Sequence, residues 1–313
     1  MTVAATASLE LAPAALVERY RHYALTVRNL SVEKIRQRLT YIGRLFVFLG
    51  PPPDTAGLFA RLDARTIGSF LADYAPRHGP GSRRDMHATL RAFLRFAWEE
   101  RFVAEDLSAL VPTVRQSSAA RLPRGLPAEC IAALERSIER HSPEGRRDAA
   151  IVCLLGTYGV RGAQIRRLRL EHIDWERERI RFPACKGGHP VEQPLTAEAG
   201  NRLVEYIAGG RPESSWREVF LEPSTGAALG HSRELSRIVH RRLREAGVRV
   251  PAGVSRGTHG FRHAFATRLV GRVPFKDLAD MLGHRSPSST LIYSRVDVAA
   301  LQQAALPWPG GAA

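Results

Sequence analysis

Cysteines and long apolar runs are scarce in this 313-residue chain. The three cysteines, Cys130, Cys153 and Cys185, lie far apart and form no CxxC pair, so neither a structural zinc site nor a disulfide framework is expected. Reduced thiols are typical of a cytoplasmic protein. No apolar run reaches the ~18 residues that a membrane span requires, and the first residues lack the basic segment of a signal peptide. The sequence therefore predicts a cytoplasmic chain with no metal centre and no membrane partner.

Acidic residues are also in the minority. There are 31 aspartates and glutamates against 46 lysines and arginines, which leaves a formal net charge of +15, and most of the basic residues are arginine. Such an excess favours a polyanionic partner, with nucleic acid as the first candidate. A generally basic proteome would raise the arginine content in the same way, so charge alone does not decide between the two explanations.

The composition divides the chain into two parts. The length fits about two domains at ~150 residues each, and an apolar fraction of 44% is enough for ordinary cores. Residues 115–125 are small, polar and basic, which predicts a linker. We expect a disordered lead at 1–12, a helical domain at 13–114, a larger domain at 126–300 and a tail at 301–313.

Four helical patterns make up the first of these domains. They cover 14–28, a segment capped by Ser31 that ends before Pro51, 64–74 with Asp63 as its cap, and 82–101. On the fourth helix the predicted buried stripe includes Phe93 and Trp98. A basic stripe occupies another face of the same helix: Arg84, His87, Arg91 and Arg95. This stripe suits contact with phosphates, although a solvated face would show the same pattern.

The second domain mixes helices with a small hairpin. A mostly apolar helix is predicted over 147–158, and 179–182 and 191–195 alternate as strands around Lys186 and its neighbouring glycines. A helix over 232–246 would pack Leu235 and Leu243 inward. Its other face is basic and suits approach to a DNA groove: Arg233, Arg237, His240, Arg241 and Arg244. A short apolar helix is expected at 296–306.

The stretch from Thr258 to Tyr293 carries the residues with the most distinctive chemistry. His259 and Arg262 are three residues apart and share a face if the segment is helical. The tripeptide 282–284, Leu-Gly-His, ends a second short helix, and Tyr293 follows. A guanidinium matches phosphate oxygens, a histidine moves protons near neutral pH, and a tyrosine becomes a covalent nucleophile when a neighbour takes its proton. Each motif alone is common on solvated or packed surfaces, whereas the ordered set is far more specific.

This ordered set resembles the C-terminal signature of the tyrosine recombinase (phage integrase) family, and by motif the resemblance covers residues 126–300. Arg161 matches the first catalytic arginine of the family, which follows a buried helix and a glycine-containing turn. Lys186 matches a catalytic lysine that the family carries on a β-hairpin. Where the family usually has an acidic residue three positions after the arginine, this chain has Gln164. We expect its amide oxygen to accept from the Arg161 guanidinium, as a weaker support than a carboxylate.

The resemblance also implies how the phosphate is attacked. Tyr293 would attack the scissile phosphate and form a 3′-phosphotyrosyl bond. Arg161 and Arg262 would stabilise the charge on the phosphate oxygens, and His284 would donate to one of them.

Proton transfer is assigned by the same resemblance. Lys186 would protonate the departing 5′ oxygen, and His259 would assist proton transfer at Tyr293. Because the covalent bond retains the energy of the phosphoester, neither a metal nor another cofactor is expected.

The fold that this resemblance implies is α+β and mainly helical. A helical core-binding domain and a larger mixed catalytic domain with a small antiparallel sheet would form a clamp around double-stranded DNA. The implied partners are duplex DNA, other subunits in a tetramer on paired sites, and accessory proteins where a site needs them, all at the nucleoid. The terminal helix would pack in cis or pass to a neighbouring subunit. Two alternatives remain open: a DNA-binding protein that has lost catalysis, which Gln164 would favour, and a type IB topoisomerase.

Overall fold

The computed structural model describes residues 12–51, 54–113, 124–185, 188–230, 232–284 and 290–294. The chain forms two compact units, one on either side of residue 120. The lead before residue 12, most of the predicted linker, and the tail with the predicted helix at 296–306 lie outside the described residues. As the sequence predicts, the protein is mainly helical with a small antiparallel sheet. No helix within the described ranges is long and apolar enough to cross a membrane.

The N-terminal unit is helical throughout its described part. The predicted caps form: the Ser31 side chain accepts from the Lys34 N–H, and the Asp63 side chain accepts from the Thr66 N–H. A short helix capped by Asp54 was not predicted. The helices are α1 (Pro13–Thr26), α2 (Val32–Leu49), α3 (Thr55–Ala60), α4 (Ala64–Tyr74) and α5 (Pro80–Glu99), with 3₁₀ turns at Ala75–Arg77 and Leu107–Leu110.

Helix α5 supplies much of the aromatic core of this unit. Phe93 and Phe96 are fully buried, and their rings lie 5.4 and 5.2 Å from that of Tyr20 on α1. Trp98, which the apolar stripe placed in the core, is 41% exposed. That prediction was wrong because α1 covers the side of α5 that carries Phe96, so the indole two residues later faces solvent.

The C-terminal unit is built around one buried helix, α7. Helices α6, α9 and α11 pack against it, and eleven of its residues are buried, so it forms the centre of the core that carries the site. The elements are α6 (Ala128–Ser137), α7 (Pro143–Tyr158), α8 (Gly162–Arg166), β1 (Ile173–Asp174), β2 (Arg179–Phe182), β3 (Val191–Pro194), α9 (Ala197–Gly209), α10 (Ser232–Glu245), α11 (Thr258–Leu269), α12 (Phe275–Met281) and α13 (Leu291–Ser294).

The three strands pair antiparallel in the order β1–β2–β3. Phe182 lies opposite Val191 across β2 and β3, and both side chains are buried in the pattern that alternating strands require. The Tyr158 hydroxyl at the end of α7 donates to the Pro194 carbonyl at 2.9 Å. The end of the central helix is therefore fixed to the hairpin.

Candidate active site

A sharp turn at the end of α7 positions Arg161. Gly159 has φ of +58°, in the left-handed region, and its N–H donates to the Leu155 carbonyl. A Cβ at this position would lie 2.5 Å from ring carbons of Phe265 on α11, so only glycine allows the two helices to approach this closely. Arg161 follows as the N-cap residue of α8.

The guanidinium groups of Arg161 and Arg262 converge on one carbonyl oxygen. Arg262 Nη2 donates to the Leu282 carbonyl at 2.7 Å, and its Nη1 donates to the Gly159 carbonyl at 3.1 Å. Arg161 Nη1 reaches the carbonyls of Leu282 and Gly283 at 3.5 and 3.4 Å, which are long and weak contacts. The carbonyl groups at the end of α12 thus hold both arginines side by side.

Among the described residues, no carboxylate is hydrogen-bonded to either arginine of this pair. In the described parts of the chain the recorded hydrogen-bond partners of Arg161 and Arg262 are carbonyl oxygens and one histidine. Arg262 is only 4% exposed, and burial, followed by the nearby charge of Arg161, lowers its pKa to about 10. Two adjacent cations in such surroundings are a favourable place for an anion, and a guanidinium fork suits phosphate oxygens.

His284 belongs to the same group and is neutral. Its Nε2 lies 2.7 Å from Arg262 Nη2, and its Nδ1 lies 2.6 Å from the Thr290 hydroxyl. Because arginine can only donate, Nε2 accepts and the ring proton is assigned to Nδ1. Burial, then the charges of Arg262 and Arg161, lower the His284 pKa to about 4. To donate Nε2–H to a phosphate oxygen, His284 must first leave Arg262 and change tautomer.

Tyr293 packs beside this group with its ring in a small apolar cluster. Phe265, Leu278 and Leu282 are buried members of that cluster, and Tyr293 itself is 1% exposed. Burial raises the pKa of its hydroxyl, while the charges of Arg262 and Arg161 act in the opposite direction. The hydroxyl therefore lies within the electrostatic reach of both arginines and stays protonated in this arrangement.

The histidine that contacts the Tyr293 hydroxyl is His263, which the sequence reasoning did not select. Its Nδ1 lies 2.8 Å from the tyrosine oxygen. His259, to which the resemblance gave proton transfer, lies one helical turn away on α11, with its ring 6.4 Å from that of His263. Because the two histidines are four residues apart, they share a helix face. This spacing was the feature of the sequence that could have identified His263 as a candidate.

Gln164 supports Arg161 through the main chain. Its side chain is buried, its Oε1 accepts from the backbone N–H of Arg161 at 3.0 Å, and its Nε2 donates to the Pro183 carbonyl at 3.2 Å. The expected bond to the Arg161 guanidinium does not form, because the amide lies at the start of α8 between the backbone and the end of β2. Gln164 thus connects the arginine turn to the hairpin.

Lys186 lies outside the described residues, as does Gly187. The residues on either side show where their loop is attached. The Gly188 N–H donates to the Cys185 carbonyl, and a Cβ on Gly188 would lie 2.5 Å from the Gly283 carbonyl. One end of the lysine loop therefore packs directly on the Leu-Gly-His segment.

The basic stripe on α5 is largely engaged within its own unit. His87 Nδ1 lies 2.8 Å from the Pro112 carbonyl, and Arg91 donates to the carbonyls of Val111 and Pro112. Arg95 forms a salt bridge of 2.8 Å with Asp106. Arg84 is exposed. Most of the stripe therefore holds the segment after α5 in place, which the sequence pattern did not indicate, and contact of these residues with DNA remains a prediction.

The basic face of α10 is divided. Arg237, His240 and Arg244 are exposed, as a surface for DNA requires, and nothing is described of the Arg233 side chain. Arg241 instead donates to Glu144 and Asp148, each at 2.7 Å. Arg241 is engaged within the unit because two carboxylates of α7 lie beneath it, and contact of this helix face with DNA remains a prediction. The sequence pattern of one helix contains no information about such a partner.

A mainly helical domain that brings two arginines, a histidine and a tyrosine to the edge of a small sheet defines the class of protein. Among the described residues, no group of three His, Cys, Asp or Glu side chains could hold a metal ion. Residues 126–299 match the model of the phage integrase family. This match covers more than half of the chain, and the chain belongs to that family of tyrosine recombinases.

Individual relatives agree with this assignment. The chain is 35% identical over 257 residues to the putative integrase/recombinase y4rA of Sinorhizobium fredii, covering 81% of this chain and 61% of that protein. It is also 35% identical to y4rF of the same organism, over 96% of this chain and 71% of the relative. A lambda integrase tetramer bound to a Holliday junction shares the fold, with a TM-score of 0.66 at 16% identity over 88% of this chain and 77% of the other.

Proposed function

We propose that this protein cuts and rejoins double-stranded DNA at specific sites through a 3′-phosphotyrosine intermediate on Tyr293. The observation that supports this most strongly is a pair of adjacent guanidinium groups that have no carboxylate partner among the described residues and lie beside a buried tyrosine. Membership of the tyrosine recombinase family supports the reaction class.

In this mechanism the scissile phosphate replaces protein carbonyls as the partner of the two arginines. The Arg161 contacts to the carbonyls of Leu282 and Gly283 are 3.4 Å or longer, so they are readily exchanged for charged hydrogen bonds to phosphate oxygens. Arg262 keeps its orientation through the Gly159 carbonyl. Both cations then stabilise the charge that develops on the phosphate in the transition state.

The tyrosine has to become accessible before it can react. With only 1% of its surface exposed, Tyr293 cannot reach a DNA phosphate in the described arrangement. Its short helix is joined to His284 by the contact between Thr290 and the imidazole. We infer that displacement of His284 from Arg262 by the phosphate also releases the segment that carries the tyrosine.

Duplex DNA and further copies of the chain are the proposed partners. The exposed Arg237, His240 and Arg244 provide positive charge for the DNA backbone. The lambda integrase tetramer on a Holliday junction supports assembly of four subunits on paired sites. The alternative of a catalytically inactive DNA-binding protein rests on Gln164 replacing an acidic residue. It is less well supported, because the Gln164 amide oxygen still accepts from the Arg161 N–H at the start of α8.

Covalent trapping tests the proposal. The DNA that flanks the gene is first searched for inverted repeats. Nicked duplexes are then prepared from the repeats found, so that cleavage releases a short strand and leaves the protein attached. In excess EDTA the wild type should form an adduct that maps by mass spectrometry to Tyr293, because the proposed chemistry needs no metal. Tyr293→Phe should bind the same duplex with nearly unchanged affinity and give no adduct.

Each other outcome has a defined meaning. An adduct from Tyr293→Phe at the wild-type yield would exclude Tyr293 as the nucleophile. Specific binding with no adduct from the wild type would favour the inactive DNA-binding protein. Relaxation of plasmids that lack any flanking repeat would favour the topoisomerase.

A further inference from the structure

Within the described part of the chain, the Tyr293 hydroxyl has one side-chain hydrogen-bond partner, and it lies on the adjacent helix α11. His263 Nδ1 is 2.8 Å from the tyrosine oxygen, which is the separation of a well-formed hydrogen bond. The imidazole is half-buried and projects from the helix that also supplies Arg262. A candidate base must lie within hydrogen-bond reach of the proton that it removes. His263 meets this requirement in the described arrangement, and the role proposed below requires that the contact be kept or made again when the tyrosine segment is released.

We infer that His263 is the general base for Tyr293, a role that rests on the proposed function. As the tyrosine oxygen bonds to phosphorus, its proton passes to the lone pair of His263 Nδ1, and His263 becomes an imidazolium. The bond from phosphorus to the 5′ oxygen breaks with its electron pair. That oxygen takes a proton from a separate acid, the role that the family resemblance gives to Lys186. In rejoining, the imidazolium returns its proton to the departing tyrosine oxygen.

The electrostatic surroundings favour the protonation state that this role requires. Burial, followed by the nearby His259 and Arg262, lowers the His263 pKa, so the ring is neutral at neutral pH and can accept a proton. In the ranges that the structure describes, the titratable groups around it are His259 and Arg262 on α11 and Tyr293 on α13, with His284 and Arg161 beyond Arg262.

Substrate binding would strengthen this base at the time it is needed. A phosphodiester anion between the two arginines offsets the positive charge of Arg262, which is one cause of the lowered His263 pKa. The pKa of His263 should therefore rise when DNA binds. The base is weak in the free protein and becomes stronger in the complex, which limits ionisation of Tyr293 without substrate.

His263→Asn is the sharpest variant, because its amide oxygen lies near the position of Nδ1 and accepts a hydrogen bond but cannot take a proton. Single-turnover cleavage of the trapping duplex is measured across the pH range in which histidine titrates. The wild-type rate should rise with pH and level off as His263 becomes neutral. In His263→Asn we expect cleavage to be about 10²- to 10⁴-fold slower, the contribution of one general base, and this rise to be absent.

A second substrate separates the base from the acid. If sulfur replaces the 5′ oxygen that departs, the leaving group needs no proton. Lys186→Ala should then recover most of its activity, whereas His263→Asn should stay slow. Recovery of His263→Asn on the sulfur substrate would overturn the assignment of His263 as the base.

The remaining results decide between this role and others. Wild-type cleavage with an unchanged pH profile in His263→Asn would exclude His263 while leaving the proposed function intact. Faster cleavage by His263→Ala would show that the histidine only holds the tyrosine in its buried position. Failure of the wild type to form any adduct would instead contradict the proposed function itself.

One measurement needs no variant that could misfold. Nitrogen NMR of the wild-type His263 imidazole gives its pKa in the free protein and with an uncleavable form of the same duplex. We expect a higher pKa in the complex. A pKa that is unchanged or lower with DNA would overturn the proposed strengthening of the base.

Discussion

Two groups of arginines in the C-terminal unit are buried to similar degrees and balanced in opposite ways. The first, which we call the site pair, is Arg161 and Arg262. Their recorded partners in the described chain are the carbonyls at the end of α12 and of α7, together with His284. Burial and the neighbouring Arg161 lower the pKa of Arg262, which means that both disfavour its charged form.

The second group, which we call the ion cluster, surrounds a fully buried carboxylate. Arg147 and Arg241 both donate to Asp148, at 2.8 and 2.7 Å, and Arg242 donates to it at 2.7 Å. Glu144 adds a second carboxylate to Arg241, and this contact is the main cause of the lowered pKa of Glu144. The cluster joins α7 to α10 and leaves little charge for a ligand.

The difference shows how the same residue type serves two purposes. Where arginine holds two helices together, the chain supplies carboxylates at short distance. Where arginine is proposed to bind a phosphate, the described residues supply carbonyl dipoles and a neutral imidazole instead of carboxylates, so the charge stays available. A buried arginine without a carboxylate therefore indicates a ligand site more reliably than a basic stripe on a helix.

The largest expected effect on folding comes from the ion cluster. Asp148→Asn leaves three arginines around a neutral group, and removal of one partner from a buried ion network costs about 3–5 kcal/mol in the free energy of unfolding. Glu245→Gln removes a half-exposed partner of Arg242 and should cost less than about 1 kcal/mol. Urea denaturation of the two variants gives both values. Equal losses would show that the cluster does not carry the stability assigned to it.

In the site pair the effect should fall on catalysis instead. Arg262→Gln removes the charge and the planar fork but keeps a polar side chain, so we expect single-turnover cleavage to fall by about 10²- to 10³-fold. Stability should change by less than about 1 kcal/mol, because the charge is unfavourable where it lies and its loss offsets the lost hydrogen bonds. A loss of stability as large as that of Asp148→Asn would mean that both groups are structural.

A smaller effect is expected at Gln164. Gln164→Ala leaves the Arg161 N–H and the Pro183 carbonyl without their partner, and cleavage should slow by about tenfold, or ~1.4 kcal/mol, with DNA affinity nearly unchanged. Gln164→Glu is the matched control. Its carboxylate still accepts from the Arg161 N–H, but it opposes the Pro183 carbonyl with a second acceptor. Faster cleavage by Gln164→Glu than by the wild type would contradict this explanation of the amide.

The sequence predicted the features that depend on local pattern. The helical first unit, the caps at Ser31 and Asp63, the buried central helix and the small hairpin all follow from periodicity, capping residues and glycines. The ordered motifs also singled out Arg161 and Arg262, and in the structure both side chains contact the same Leu282 carbonyl.

The features that the sequence did not predict depend on contacts between distant elements. Trp98 is exposed because α1 covers another side of its helix, and Arg241 is neutralised by carboxylates that lie 93 and 97 residues earlier. His263 contacts Tyr293 across 30 residues. Gln164 turns to the main chain because the hairpin supplies the Pro183 carbonyl. None of these partners can be identified from the spacing within one helix.

The central claim is that the site pair, which has no carboxylate partner among the described residues, keeps its charge available to act on a phosphate. The most direct test compares wild type and Arg262→Gln on two duplexes, one natural and one with an uncharged methylphosphonate at the scissile position. The account predicts a large rate penalty for the variant on the natural duplex and little penalty on the uncharged one, because no anionic charge then needs a cation. An equal penalty on both duplexes would contradict the claim.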